Sequence, residues 1–213
     1  MSPRRARFVP EDADLREHLV AVTAQLLADE GLEGLTTRRI ARAASVADGV
    51  LYNHFADKDD LILAGLVLRT ATLLAAFDKA APRAGRGTLE GNLSSLAAAI
   101  LGLERALMPL LASMLGKRRL LERFLGELHS PELGGADRVL RTVHDYLAAE
   151  RDLGRVSADA DSHLVGVLLF AIAQLQALAM QVRDPHAPPA KAVRQLRPFI
   201  HFLAANLADP TAT

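Results

Sequence analysis

Two short helical patterns lie end to end between Leu35 and Leu61, in LTTRRIARAASVADGVLYNHFADKDDL, and the turn between them is too brief to be a linker. Thr36 or Thr37 caps the first pattern, because a hydroxyl there accepts from an orphan amide of the opening turn. Ile40, Ala41 and Ala44 give this helix a small apolar face, and Ser45 and Val46 make the turn. Gly49 to Phe55 form the second helix, with Val50, Leu51 and Phe55 on its packing side. Asp57 reads as the N-cap of a third helix, and Asp60 stands three residues on, where a capping box places its acid. The small side chains of Ala41 and Ala44 let two helices cross closely, as a helix-turn-helix requires.

These residues resemble the N-terminal signature of the TetR-type bacterial transcriptional repressors. The matching elements are Glu30-Gly31, Thr36-Thr37, Ile40-Ala41, Val46, Gly49, Leu51-Tyr52, His54-Phe55, Lys58 and Leu61, all within the first third of the chain. Ser45 stands where the family usually has a turn glycine, and Ala47 where a serine normally caps the second helix. Loss of that cap costs about 1 kcal/mol, which Asp48 offsets in part as an acid in the first turn.

The rest of the chain reads as helices. Leu15, Leu19, Val22 and Leu26 mark one buried stripe over residues 11–29, closed by Gly31. A long helix from Lys58 carries Leu61, Leu66, Leu68, Leu73 and Phe77 to the break at residues 82–87. Thr88 caps a fifth helix toward Leu115, with Pro109 bending or breaking it. A short helix over 117–129 and another over 136–149 follow. An eighth covers about 158–182, and a ninth about 190–207 is bent or divided at Pro198. Between His163 and Arg183 no residue is formally charged, long enough to span a membrane by length alone. Gln174, Gln176, Gln181 and the many alanines favour a helix buried on one side by its own core and on the other by a partner.

Lysine and arginine (25) balance aspartate and glutamate (25), so attraction to nucleic acid must be local. It falls to Arg38, Arg39, Arg42 and Lys58, with a basic arm of Arg4, Arg5 and Arg7, while the acids Glu11, Asp12, Asp14, Glu17, Asp29 and Glu30 face away. The N-terminus lacks the apolar core of a secretory signal, and the absence of cysteine fits a cytoplasmic protein. There is no G-x-S-x-G elbow, phosphate-cradling glycine loop or H-E-x-x-H, so no enzyme is expected. No cofactor or metal is expected either, and His129 and His144 are not read as ligands.

The expectation is an all-α protein of about nine helices. Residues 1–60 form a three-helix helix-turn-helix domain, and residues 61–213 a larger effector-binding and dimerisation domain. The resemblance implies that Thr37, Arg38, Tyr52, His54 and Lys58 contact double-stranded DNA. Asp48, Gly49 and Val50 fall where base edges are approached: Asp48 suits cytosine N4, Gly49 close approach, and Val50 a thymine methyl. Arg69, Met108, Phe124, His144, Tyr146 and Gln174 are candidates for a small-molecule effector pocket. Leu164, Leu168, Ile172, Leu175, Phe199 and Leu203 are candidates for a homodimer interface. The implied function is a ligand-relieved repressor on a palindromic operator. The competing classes are a helical carrier or enzyme with a lipophilic cavity, and a tail-anchored membrane protein.

Overall fold

A computed structural model describes residues 12–184 and 188–208. Arg4, Arg5, Arg7, Glu11 and Pro185 lie outside the described residues. The helices are α1 (Asp12–Asp29), α2 (Thr37–Ala44), α3 (Leu51–His54), α4 (Lys58–Ala80), α5 (Leu89–Met114), α6 (Arg118–Leu128), α7 (Gly135–Asp152), α8 (Ser162–Arg183) and α9 (Pro189–Leu207). A tighter 3-10 turn, Asp48–Val50, leads directly into α3. The all-α class is therefore the observed one.

Side-chain caps set several of the starts. Thr36, Asp57 and Thr88 accept from the amides of Arg39, Asp60 and Gly91, three residues on in each case. Asp60 has two roles: Arg123 and the amides of Asp57 and Ala56 all act on its carboxylate, and together hold it below the usual range. The start of α8 differs from the expected 158. Asp161 caps it at Ser162, because Val156 pairs with Ala208 and the Ser157 amide donates to the Leu207 carbonyl at 2.9 Å. That pairing keeps the preceding backbone extended against the end of α9. Neither Pro109 nor Pro198 divides its helix, since α5 and α9 run through them.

Two apolar cores result. In the first, Leu19, Leu26 and Leu27 of α1 meet Ile40, Ala41, Leu51 and Phe55, closed by Leu61, Ile62 and Leu66 of α4. Leu110, Met114, Leu120 and Phe124, from α5 and α6, complete it. Division after residue 60 thus runs through the first turn of α4, whose opening turns belong to the N-terminal core. Gly65 allows α1 and α4 to cross: a Cβ there would stand 2.6 Å from Cγ2 of the buried Thr23. The second core gathers the far half of α4 (Leu74, Phe77) with α5, α7, α8 and α9. Leu68 does not join either; it is exposed, because α4 turns its 66–70–74–77 stripe inward and position 68 falls opposite.

Ion pairs fasten α4 at both ends. Arg123 of α6 reaches Asp60 at 2.6 Å, and Arg138 of α7 grips Asp78. In the second core Tyr146 donates to Glu150 at 2.7 Å. Arg155 stands 3.2 Å from the same fully buried carboxylate. Burial and the Glu150 bond push the Tyr146 hydroxyl well above its ordinary range.

Candidate nucleic-acid interface

The turn between α2 and α3 makes an outward-facing edge. Ser45 adopts φ 60°, ψ 35°, the left-handed conformation, and its amide satisfies the last carbonyls of α2. Most residues pay for that conformation and glycine does not. The chain then reverses through Val46, and Ala47 opens the 3-10 turn with no side-chain cap. Leu51 and Phe55 are buried beneath, whereas Asp48, Gly49, Tyr52 and Asn53 are exposed. Nothing lies within 4 Å of the space above Gly49, so its backbone is open to close approach.

Pins from α1 and from Glu30 just after it hold this edge. His18 Nε2 lies 3.2 Å from the Ala44 carbonyl. The Arg16 guanidinium sits 4.9 Å above the Phe55 ring, a cation–π contact. Glu30 takes Arg39, whose Nε donates to Oε2 at 3.2 Å; this bond holds the guanidinium protonated even more firmly than usual. Arg39 is therefore spent within the domain, and the other cations of the edge are Arg38, Arg42 and Lys58.

Arg38 itself meets Asp48, Nε to Oδ2 at 3.4 Å, with the two side chains 87% and 55% exposed. An ion pair so wetted contributes at most about 1 kcal/mol, so a phosphate or base edge can replace either partner. Thr37 and Lys58 are partly covered at the openings of α2 and α4, and His54 partly covered at the end of α3. Of the residues read for this role, Arg38, Asp48, Gly49 and Tyr52 are the most open, and Val50 is half-buried. Asn53 was not singled out in the sequence, yet its exposed amide stands beside Tyr52. The signal was present: it lies opposite the buried Leu51 and Phe55 on a 3.6-residue period.

The effector candidates do not converge on one pocket. Phe124 is fully buried in the N-terminal core, because α6 packs back onto the start of α4. Tyr146 is bound to Glu150 in the second core, and the exposed His144 meets the Ser162 hydroxyl at 2.9 Å. Met108 is half-covered and Gln174 exposed. Arg69 lines a cleft against the end of α1. Of the dimer candidates, Leu164 (51%), Leu168 (37%) and Leu175 (61%) are exposed, and Ile172 and Phe199 partly covered. Leu203 is not available, since it packs inside its own core; the neighbouring Phe202 is 62% exposed instead.

Fold and edge together define a helix-turn-helix protein with a second, all-helical domain. The family model described as bacterial regulatory proteins, tetR family, matches residues 19–64. The tetracycline repressor protein class C of Escherichia coli is 38% identical over 89 residues, 40% of this chain and 39% of that protein. The match thus spans well under half of the curated relative. A TetR-family transcriptional regulator from Mesorhizobium loti shares the fold at a TM-score of 0.74 and 16% identity, covering 94% of this chain and 100% of that one. Bacillus subtilis FadR, solved in complex with stearoyl-CoA, aligns at 0.55 and 14% identity over 90% of this chain and 98% of that one. Residues 19–64 thus match the tetR-family model, and the whole chain has the fold of TetR-family structures.

Proposed function

We propose that this chain is a cytoplasmic, ligand-responsive repressor that binds a palindromic operator as a homodimer and carries no catalytic activity. The observation that carries the reading is the open edge of Arg38, Asp48, Gly49, Tyr52 and Asn53 on a well-pinned helix-turn-helix. On DNA, Arg38 exchanges Asp48 for a guanine or a phosphate, and Tyr52, His54, Thr37 and Lys58 bond phosphate oxygens. Asp48 and Val50 then meet base edges across the gap that Gly49 leaves.

Twofold pairing uses the outer face of α8. Leu164, Leu168, Ala171, Leu175, Leu178 and Val182 follow one another at steps of four and three, the spacing of a helix–helix seam. Five of these six are exposed large apolar residues. Among the described residues three helices, α4, α5 and α8, are long and apolar enough to cross a membrane; the seam periodicity of α8 favours a second copy of the chain over lipid. Phe202 of α9 is a further exposed apolar side chain. A pair of chains presents two reading edges to successive major grooves.

Named neighbours motivate the effector: the E. coli relative is called a tetracycline repressor, and the B. subtilis structure holds stearoyl-CoA. In this chain α4 carries the signal, being fastened to α6 through Asp60 and to α7 through Asp78. A ligand preferring one spacing of the reading edges by several kcal/mol empties the operator.

Selection of bound fragments from genomic DNA, followed by gel shifts at varied salt, tests the reading. The expected result is enrichment of a near-palindromic site, with log affinity falling steeply against log salt. Arg38→Ala should weaken binding by about 1–3 kcal/mol. No enrichment, or the same affinity for every fragment, overturns it.

A further inference from the structure

The geometry points to a binding site for a small amphiphilic carboxylate in the cleft between the reading domain and the second domain, with Arg69 as its anion-holding group. The inference rests on the ligand-responsive reading and supplies the chemistry of one ligand. The cleft encloses about 460 Å³, within the roughly 300–1,000 Å³ typical of small-molecule sites. One wall is the end of α1 and the turn after it, with Leu27, Ala28 and Leu32; the other combines Arg69 of α4, Arg105, Pro109 and Leu110 of α5, and Gln181 of α8.

Arg69 makes this more than an apolar cleft. Its Nε is buried, and among the described residues it has no hydrogen-bond partner. A guanidinium cannot shed its proton to escape burial, and a buried donor left unpaired carries the full desolvation cost. An incoming oxyanion removes that cost. The acids of the wall do not supply it: Glu30 is committed to Arg39, and Glu33 is exposed. The Arg69 fork suits the two oxygens of a carboxylate, and Arg105 on the same wall adds positive charge nearby. The leucines and Pro109 provide an apolar bed for a short hydrocarbon tail, which bare phosphate would leave empty.

Position gives such a ligand leverage. The lip residue Glu30 holds Arg39 of α2, and the opposite wall belongs to α4, α5 and α8. An occupant therefore touches both domains at once. If it favours one separation of the walls, it favours one placement of α2 and α3.

Calorimetric titration of the full chain with octanoate, 1-octanol, octylamine and inorganic phosphate tests the assignment. Octanoate is expected to saturate one site per chain and to bind at least about tenfold more tightly than 1-octanol or phosphate; octylamine should not bind. Arg69→Gln should lower octanoate affinity at least about tenfold with helical circular dichroism unchanged. Ala106→Phe, which fills the cleft and leaves both arginines in place, should do the same. Octanol or phosphate binding as tightly as octanoate, or octanoate binding untouched by both variants, overturns the site. Gel shifts separate the two readings. A different ligand that releases both wild type and Arg69→Gln from DNA, where octanoate binds neither, keeps the regulator and removes this site. Octanoate binding through Arg69 without effect on operator occupancy, when no other ligand acts either, keeps the site and removes ligand response.

Discussion

The two cores are finished in different ways. The N-terminal core is completed by the chain itself: α1, α2 and α3 are sealed by α4 and then by α5 and α6, and polar pins (Glu30 to Arg39, Asp60 to Arg123, His18 to Ala44) fix its rim. What it shows to solvent is polar and open. The second core leaves an apolar seam along α8 uncovered and keeps carboxyl groups inside, Glu104 and Glu150. A domain that closes on itself can present a rigid edge, whereas one with an open seam is built to be completed by something else. The difference separates a surface that is closed and pinned from one that is apolar and open within one chain.

The largest expected effect attacks the closure of the first core. Phe124 is fully buried there and belongs to α6, far along the chain. Phe124→Ala should cost about 3–5 kcal/mol in denaturant unfolding. If the N-terminal core were complete without α6, the loss would be under about 1 kcal/mol, and the contrast between the cores would fail at its first step.

Glu104 tests the interior of the second core. Burial pushes its carboxyl up to about 7, from an ordinary 4.5 in the unfolded chain. The folded state therefore holds a proton that the unfolded state has released between those two values, so stability falls as pH rises from about 4.5 to about 7 and levels off above. The loss approaches about 3 kcal/mol at pH 8. Glu104→Gln should flatten this dependence: near wild-type stability at pH 4.5, greater stability at pH 8. Parallel pH profiles for the two proteins would mean that Glu104 reaches water or a counter-charge.

The seam gives the third. Leu175→Glu places a charge on the most exposed leucine of the six. Sedimentation should show the dimer lost, and operator affinity should drop by about 100-fold or more as the second reading edge ceases to be held nearby. A dimer that survives the change puts the interface elsewhere.

What the sequence made legible follows the same contrast. The caps at Thr36, Asp57 and Thr88 could be read because a cap is a matter of three residues, and the turn that carries the candidate edge because its residue types recur at fixed spacing. The inward and outward faces of the apolar helices could not. Leu203 and Phe202 are neighbours of equal hydrophobic character, and only the packing of α9 sends one inside and the other out. Leu68 was misplaced for the same reason, and Phe124 because nothing local says that α6 folds back to the first core. The Glu30–Arg39 bond escaped notice as well, since the turn that brings them together spans nine residues without periodicity.

The smallest effect sharpens the claim that the reading edge is rigid. Ala47 sits in an extended conformation (φ −74°, ψ 147°) with no side-chain bond to the following turn, a backbone that already suits a capping serine. In Ala47→Ser the hydroxyl can accept from the Gly49 or Val50 amide, stabilising the chain by about 0.5–1 kcal/mol. For a protein of this length that is a rise in Tm of about 1–4 °C. Ser45→Gly relieves the left-handed residue beside it and should add a similar amount. The two act on opposite ends of one turn, so their effects should sum unless the turn shifts as a unit. Exchange of the Leu51 to Phe55 amides should slow in both. If Tm rises while that exchange does not change, the turn was already as firm as its core, and the two substitutions act through the unfolded chain.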